Sequence, residues 1–207
     1  DYIGNPNLKN ESSLEANAFV GLKKEKYSAK VSSSYFHIAD YIVGKIIDNL
    51  VPMTIGASGV KNYTALNYAT LFNISLSTEL QVADPLKWTT QFVYTRGKDH
   101  QNGNLPFISP FTYQTSLRYE KNKFATEVSL FGNTKYQDFA LQYGESETLA
   151  YAIINANFGY LLPIGPTKLY TKIGVENILD RNFTTYSDWN KIPQPGRNFF
   201  INMNFSW

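Results

Sequence analysis

Apolar and polar residues alternate along most of this chain. Nine segments have a period of two residues, at about 12–22, 27–37, 63–80, 87–96, 113–120, 124–134, 151–162, 168–178 and 198–207. Successive side chains on a strand point to opposite faces, so each segment predicts a β-strand with one apolar face. No segment of comparable length has the period of an amphipathic helix. The pattern therefore predicts an all-β protein of antiparallel strands.

The last segment shows the two faces most clearly. Its odd positions are Phe199, Ile201, Met203, Phe205 and Trp207, and its even positions are polar apart from Phe200. Across the nine segments the polar face carries mainly Asn, Ser, Gln and Thr, while charged residues concentrate in the connections. The water-facing side of a soluble sandwich would carry many long charged side chains. A polar face of this kind is typical of the interior of a membrane barrel.

The connections between the segments alternate in length. Short turns, KKEK, ADPL, EKNK and PIGPT, follow the first, third, fifth and seventh segments, and long polar stretches follow the others. An up-and-down barrel in an outer membrane has brief periplasmic turns and long extracellular loops. Greek-key connections of a soluble sandwich do not separate by end in this way. The alternation therefore favours a transmembrane β-barrel.

Composition removes several classes of function. The 207 residues carry a formal charge of +2 with 17% charged residues, which gives no reason to expect a nucleic-acid partner. The chain has no cysteine, so it has no disulfide or thiolate chemistry. No run reaches the roughly 18 apolar residues of a transmembrane helix, and the first residues do not resemble a signal peptide. The 15% of aromatic residues suits strands and the aromatic girdles of a barrel.

The number of strands raises a problem of closure. Nine predicted strands are an odd number, whereas single-chain bacterial barrels normally have an even number. An open sheet would leave two unpaired edges, which membranes do not tolerate. We therefore expect residues 1–207 to be the C-terminal segment of a larger barrel.

No group of residues has the pattern of a catalytic site, so the sequence predicts a protein that is not an enzyme and has no cofactor. His37 and His100 lie near the loop ends of two strands, with no cysteine or second histidine close in sequence, and predict no metal site. Residues of the long connections are better candidates for contact with an incoming ligand. They are Asp138, Phe139, Tyr143, Tyr186 and Trp189. The alternative is that they only line the loops and the membrane interface.

Three stretches of the chain carry a family resemblance. The first is GNPNLKNESSLEANAFVG, and the second is LPFISPFTYQTSLRY. The third and most specific is GVENILDRNFTTYSDWNKIPQPGRNFFINMNFSW. In order and spacing they resemble the TonB-dependent receptors, which are 22-stranded outer-membrane transporters of Gram-negative bacteria.

The third stretch resembles the family's ending, in which an Asn-Ile-Leu-Asp-Arg type of motif precedes a loop, Pro-Gly-Arg and a last strand that closes on an aromatic residue. The resemblance implies a structural role for these residues. They are Asn177, Asp180, Pro195, Gly196, Arg197 and Trp207. The aromatic end also resembles the signal by which the barrel-assembly machinery recognises its substrates.

The resemblance implies a function for the whole receptor. Residues 1–207 would be about the last nine of 22 strands, lying in outer-membrane lipid, without the plug domain through which TonB supplies energy. The receptor would import a bulky, scarce nutrient, most simply a ferric siderophore, which is a small-molecule metal chelate. Uptake of haem or of another metal complex by the same family is an alternative. A soluble all-β carbohydrate-binding or adhesin module is an alternative from another class.

Overall fold

The computed structural model describes residues 1–55, 59–188 and 191–207. These residues form the strands β1 (Tyr2–Ile3), β2 (Ser12–Lys23), β3 (Tyr27–Ile47), β4 (Val60–Ala83), β5 (Leu86–Asp99), β6 (Thr112–Lys121), β7 (Phe124–Asn133), β8 (Tyr151–Ile164), β9 (Thr167–Glu176) and β10 (Asn198–Ser206), and a short 3-10 helix, η1 (Leu141–Tyr143). No helix in this part of the chain is long and apolar enough to cross a membrane.

The strands β2 to β10 form one antiparallel sheet in chain order. Each of them pairs with its neighbours in the sequence, from β2 at one edge to β10 at the other. The short strand β1 lies parallel to the start of β4, with Tyr2 opposite Lys61. The sheet is therefore an up-and-down meander, and the prediction of an antiparallel all-β fold of barrel strands is confirmed.

Short turns join the strands at one end of the sheet and long loops join them at the other. Asn122 and Gly165 begin two-residue turns with φ angles of 56° and 60°, a left-handed conformation that Asn and Gly adopt at low cost. The long connections are loop 1 (48–59), loop 2 (100–111), loop 3 (134–150) and loop 4 (177–197). This end of the sheet is called the loop end below.

The sheet has one polar and one apolar face. A row across β3 to β6 consists of Lys30, Ser77, Gln91 and Gln114, and the next row consists of Val31, Leu76, Phe92 and Tyr113. Residues from β2 to β6, most of them on the polar face, line an open trough of about 640 Å³, so the polar face is concave along these strands. Curvature with the polar side inside is the arrangement of a barrel wall with a polar lumen.

Rings on the polar face cover glycines of adjacent strands. A Cβ on Gly174 would lie 2.5 Å from Cζ of Phe200, and a Cβ on Gly159 would clash with the hydroxyl of Tyr170. The Phe200 ring also lies 6.0 Å from Nζ of Lys172. This packing gives Phe200, the one apolar residue on the polar face of β10, a physical reason.

Two strands extend beyond their predicted ends. The sequence pattern placed the strand ends near residues 37 and 63, but β3 continues to Ile47 and β4 begins at Val60. Side chains at both odd and even positions of the β3 extension are covered, since Val43 packs against Ala140 and Ile46 lies against Gly144. The sequence of this extension therefore does not alternate between apolar and polar residues. The predicted long connection between these strands is present as loop 1, but it is shorter than the pattern indicated and begins about ten residues later.

The largest buried apolar clusters lie at the loop end of the sheet. One contains Val43, Ala140 and Tyr143, and the other contains Ala69, Leu105 and Ile108. By contrast, β2 is exposed along its whole length, and Leu14 and Val20 on its apolar face are 75% and 77% exposed. The sheet thus buries little apolar surface by itself, and its apolar face needs another apolar phase or partner.

Candidate functional site at the long loops

Loops 2 and 3 pack together on the extended β3–β4 hairpin. Leu105 and Ile108 of loop 2 are buried against Ala69 of β4, with Tyr136 of loop 3 beside them. A Cβ on Gly97 would lie 2.5 Å from Cδ1 of Ile108, so a larger residue at this position would displace the Ile108 side chain. The apolar anchors fix loop 2 over the end of β5.

The Glu145 carboxylate joins the two loops. Its Oε1 accepts a hydrogen bond of 2.6 Å from the N–H of Phe107 in loop 2, and its Oε2 accepts one of 3.0 Å from the N–H of Ala140 in loop 3. Phe107 has a φ of 66°, which aims its amide at the carboxylate at a cost in backbone strain. Hydrogen bonds to a charged acceptor are among the strong ones, so loops 2 and 3 form one structural unit.

Loop 3 is also closed at its base. Nδ2 of the buried Asn133 donates to the carbonyls of Thr134 and Leu149 at 2.8 and 3.2 Å, and Tyr136 and Thr148 form an antiparallel bridge. Burial, with the nearby carboxylates of Glu145 and Asp138, raises the pKa of Tyr136 to about 12. Its hydroxyl therefore remains a neutral group at physiological pH.

The structure brings two of the predicted ligand residues together. Phe139 and Tyr186 line one small cavity between loops 2, 3 and 4, which Tyr136 and Glu145 also line. Its volume is about 40 Å³, whereas pockets for small molecules measure roughly 300–1,000 Å³. The cavity has no room for a bulky chelate, and a ligand of that size would contact the outer surface of the loops.

The other predicted ligand residues have different surroundings. Tyr143 is only 4% exposed and belongs to the buried cluster with Val43 and Ala140, so its ring supports loop 3. Asp138 is exposed and apart from this cavity. Trp189 lies outside the described residues.

The family-like motif near the end of the chain folds around Asn177. This buried residue has a φ of 49°. Its Nδ2 donates to the carbonyls of Arg181 and Pro195 at 2.8 and 3.3 Å, and its Oδ1 accepts from the N–H of Arg181 at 2.8 Å. The backbone N–H of Asn177 donates to Oδ1 of Asn155 on β8. One amide thus ties both ends of loop 4 to each other beside the sheet.

A second set of bonds leads loop 4 into β10. Oδ1 of Asp180 accepts from the N–H of Arg197 at 2.7 Å, and Nε of Arg197 donates to the Ile178 carbonyl at 2.8 Å. A Cβ on Gly196 would lie 2.6 Å from the same Asp180 oxygen. Trp207 follows β10 and is 98% exposed. Asn177, Asp180 and Arg197 thus join the backbone of loop 4 to itself and to the start of β10.

The two histidines lie near each other on the apolar face of the sheet, and each contacts Tyr68. Their rings lie on either side of Tyr68, with centroid distances of 4.9 Å for His37 and 6.1 Å for His100. Sequence spacing had kept them apart, since β3 and β5 become neighbours only through β4. Among the described residues, no group of three or more His, Cys, Asp or Glu side chains could hold a metal ion.

Sequence reasoning missed the role of Glu145 as the link between loops 2 and 3. The residue was visible as one of several acidic loop residues, but no local pattern indicates that its carboxylate accepts a bond from an amide 38 positions earlier. The sequence indicated only a loop around Glu145, because Asn and Gly residues such as Asn133 and Gly144 are common in tight turns.

Comparisons with known proteins place the fold. No protein-family model and no curated protein sequence matches the chain. Among solved structures it is similar to the copper transporter OprC, with a TM-score of 0.85 and 19% identity over 99% of this chain and 34% of that one. It is also similar to the siderophore receptor PirA from Acinetobacter baumannii, with a TM-score of 0.71 and 17% identity over 98% and 32%.

A third similar structure is a variant of the ferric enterobactin receptor PfeA from Pseudomonas aeruginosa in complex with enterobactin, with a TM-score of 0.74 and 17% identity over 99% and 32%. The chain thus spans about a third of the length of each of these proteins. The similarity covers nearly every residue of the chain. In fold, the chain is similar to one part of each of these receptors and of the copper transporter.

Proposed function

We propose that the chain forms the C-terminal barrel segment of a TonB-dependent receptor that imports a bulky, scarce nutrient across the outer membrane, most simply a ferric siderophore. The observation that carries the proposal is the sheet itself, with an apolar outer face, a polar concave face, short turns at one end and long loops at the other. The superposition on siderophore receptors at TM-scores of 0.71 and 0.74 supports it.

Each part of the sheet then has a task. The apolar face contacts lipid, the concave face lines the lumen, and loops 1 to 4 surround the extracellular opening. The plug and its contact with TonB come from a part of the receptor outside residues 1–207. No group of this chain transforms the ligand, so the work of transport is binding and passage and not catalysis.

The loops offer a surface for the ligand. Phe139 and Tyr186 contribute aromatic rings, and Asp138, next to Phe139 in the sequence, adds an exposed carboxylate. A few polar groups among aromatic rings suit a compact chelate. Because loops 2 and 3 are joined through Glu145, this surface is held in place before the ligand arrives. A binding surface that is already ordered loses less conformational entropy when the ligand binds.

Copper is the second candidate nutrient. The superposition with the copper transporter has a TM-score of 0.85, above the values for the two siderophore receptors. Cu(I) prefers Cys and Met ligands, but the chain has no Cys and two Met. Met203 lies on the outer, apolar face of β10, and Met53 is 95% exposed in loop 1. The chain therefore offers one Met at the loop end, and other copper ligands on this proposal would come from elsewhere in the receptor.

Extraction tests the placement in the membrane. We expect the native receptor to require detergent and to migrate as a heat-modifiable band, because a closed barrel resists dodecyl sulfate until it is boiled. A protein that partitions into water without detergent would refute the proposal and favour the soluble binding module.

Binding measurements test the nutrient. Ferric enterobactin and a copper salt are titrated separately into the receptor, its double variant Phe139→Ala/Tyr186→Ala and the control Leu149→Ala, which removes an exposed side chain of loop 3 away from the cavity. We expect ferric enterobactin to bind and the double variant to lose roughly tenfold in affinity, as for two modest contacts. If the receptor bound copper and did not bind ferric enterobactin, copper would become the favoured nutrient.

A further inference from the structure

A cluster of basic side chains lies on the apolar face of the sheet at its loop end. Along β5 this face reads Leu86, Trp88, Thr90, Phe92, Tyr94, Arg96 and Lys98, so it changes from mainly apolar and aromatic to basic within one step of the alternation. The register places Arg96 beside Phe72 of β4, and Phe72 beside Tyr35 of β3. Basic residues thus follow directly on an aromatic band.

The cluster forms a shallow pocket. Arg96, Lys98, Tyr68 and Phe72 are among the residues that line a depression of about 410 Å³. The pocket opens on the same face as the exposed rings of Tyr35 and the aromatic residues of β5. A ligand in it would therefore touch cations at the loop end and aromatic rings below them.

The charge of the pocket is positive. Nζ of Lys98 donates to Oδ1 of Asn104 at 2.6 Å and to the carbonyl of Asn102 at 3.2 Å, which are neutral partners. Neither Arg96 nor Lys98 belongs to an ion pair within the described residues. The carboxylate of Asp99, which also lines the pocket, accepts the backbone N–H groups of residues 101 and 103 at 2.9 and 2.7 Å.

The height of the cluster matches a membrane boundary. Arg96 lies ten positions after Leu86, which is about 34 Å along a strand and about 26 Å along the barrel axis at a tilt of roughly 40°. The apolar band of outer-membrane barrels is roughly 25 Å tall. Arg96 and Lys98 would then lie at the level of lipid headgroups in the outer leaflet, where a positive pocket needs an anionic partner.

We propose that this pocket binds the phosphorylated headgroup of an outer-leaflet glycolipid of the lipid A type. The Arg96 guanidinium can hold a phosphate with two parallel hydrogen bonds, and the Lys98 ammonium adds a point charge fixed by Asn104. Tyr35, Phe72 and Tyr94 pack against the acylated part of the same molecule. The inference rests on the placement of the chain in an outer membrane and assigns a site that the import of a nutrient does not require.

The experiment uses the full-length receptor, purified in detergent and freed of lipid. Lipid A, the same lipid without its phosphates, and inorganic phosphate are titrated in turn, and thermal unfolding reports binding. The test variant is Arg96→Gln/Lys98→Gln. The matched control is Lys87→Gln/Arg118→Gln, which removes two cations that face each other on the polar side of β5 and β6.

We expect lipid A to raise the unfolding temperature of the receptor and of the control variant. We expect its affinity for the test variant to be about tenfold lower. The lipid without phosphates and inorganic phosphate should give little effect. Equal binding by test and control variants, or equal binding of the lipid without phosphates, would overturn the proposal. So would inorganic phosphate that binds as tightly as lipid A.

The two proposals fail in different ways. A receptor that is heat-modifiable and needs detergent, yet binds lipid A equally in both variants, refutes only the lipid site. A receptor that is soluble without detergent refutes the placement in the membrane first. Lipid binding is measured without the nutrient, so the choice between siderophore and copper does not affect it.

Discussion

At Gly196 the last loop passes so close to the Asp180 carboxylate that a side chain has no room. The same carboxylate accepts the N–H of Arg197, whose guanidinium reaches the Ile178 carbonyl. The Pro-Gly-Arg sequence therefore has a specific physical content: the glycine admits the carboxylate, and the arginine joins the two sides of the loop. The Pro-Gly-Arg motif could be recognised in the sequence, but the residues that it contacts could not be predicted.

Replacement of this glycine should be costly. We expect Gly196→Ala to lower the free energy of unfolding by about 1–3 kcal/mol, because the new Cβ overlaps Asp180 and breaks the bond to Arg197. Gly4→Ala is the matched control, since its Cβ would have no neighbour within 4 Å. Urea unfolding in lipid vesicles measures both, and equal stability of the two variants would contradict the packing described here.

At the scale of strands, most of the fold could be predicted. Eight of the nine predicted segments end within a few residues of a strand end, because one apolar face per strand leaves a period of two in the sequence. The exception is β3, which continues ten residues beyond its predicted end, where loop 3 covers side chains at both odd and even positions. The candidate site was less predictable, since the contacts of Glu145 and Asn177 join residues far apart in the chain.

The assignment of faces predicts unequal costs for buried charge. Phe158 lies on the apolar face of β8, opposite Ile173 of β9, and Asn157 lies on the polar face, opposite Gly174. We expect Phe158→Arg to cost about 2–4 kcal/mol in lipid vesicles and Asn157→Arg much less. Asn155 is unsuitable as the control, because its Oδ1 accepts the N–H of Asn177. Similar unfolding free energies for the two arginine variants would reverse the face assignment.

At the scale of the whole molecule, the buried apolar clusters lie at the loop end, and the apolar face of the sheet is largely exposed. The buried clusters hold loops 2 and 3 to the hairpin, whereas both edge strands, β2 and β10, are largely exposed. A soluble protein built on one sheet would instead bury the apolar face of that sheet. This distribution agrees with a wall that separates lipid from an aqueous lumen and carries a structured set of loops at one end.

The connection between loops 2 and 3 can be measured directly. We expect Glu145→Gln to speed hydrogen exchange roughly tenfold at the amides of Phe107 and Ala140, because a bond to a charged acceptor contributes about 1.5–3 kcal/mol. Glu147→Gln is the control, since Glu147 makes an exposed ion pair with Lys135, 3.2 Å long. If exchange in loop 2 were unchanged by Glu145→Gln, the two loops would move independently.

The rings that cover glycines on the polar face imply a rule for sequence change. Gly174 and Phe200, like Gly159 and Tyr170, occupy one volume from two strands. A larger residue at the glycine requires a smaller one at the ring, and loss of the ring exposes bare backbone on the polar face. Among related barrels these positions should therefore be exchanged in pairs, so that covariation between them would reveal the strand register without a structure.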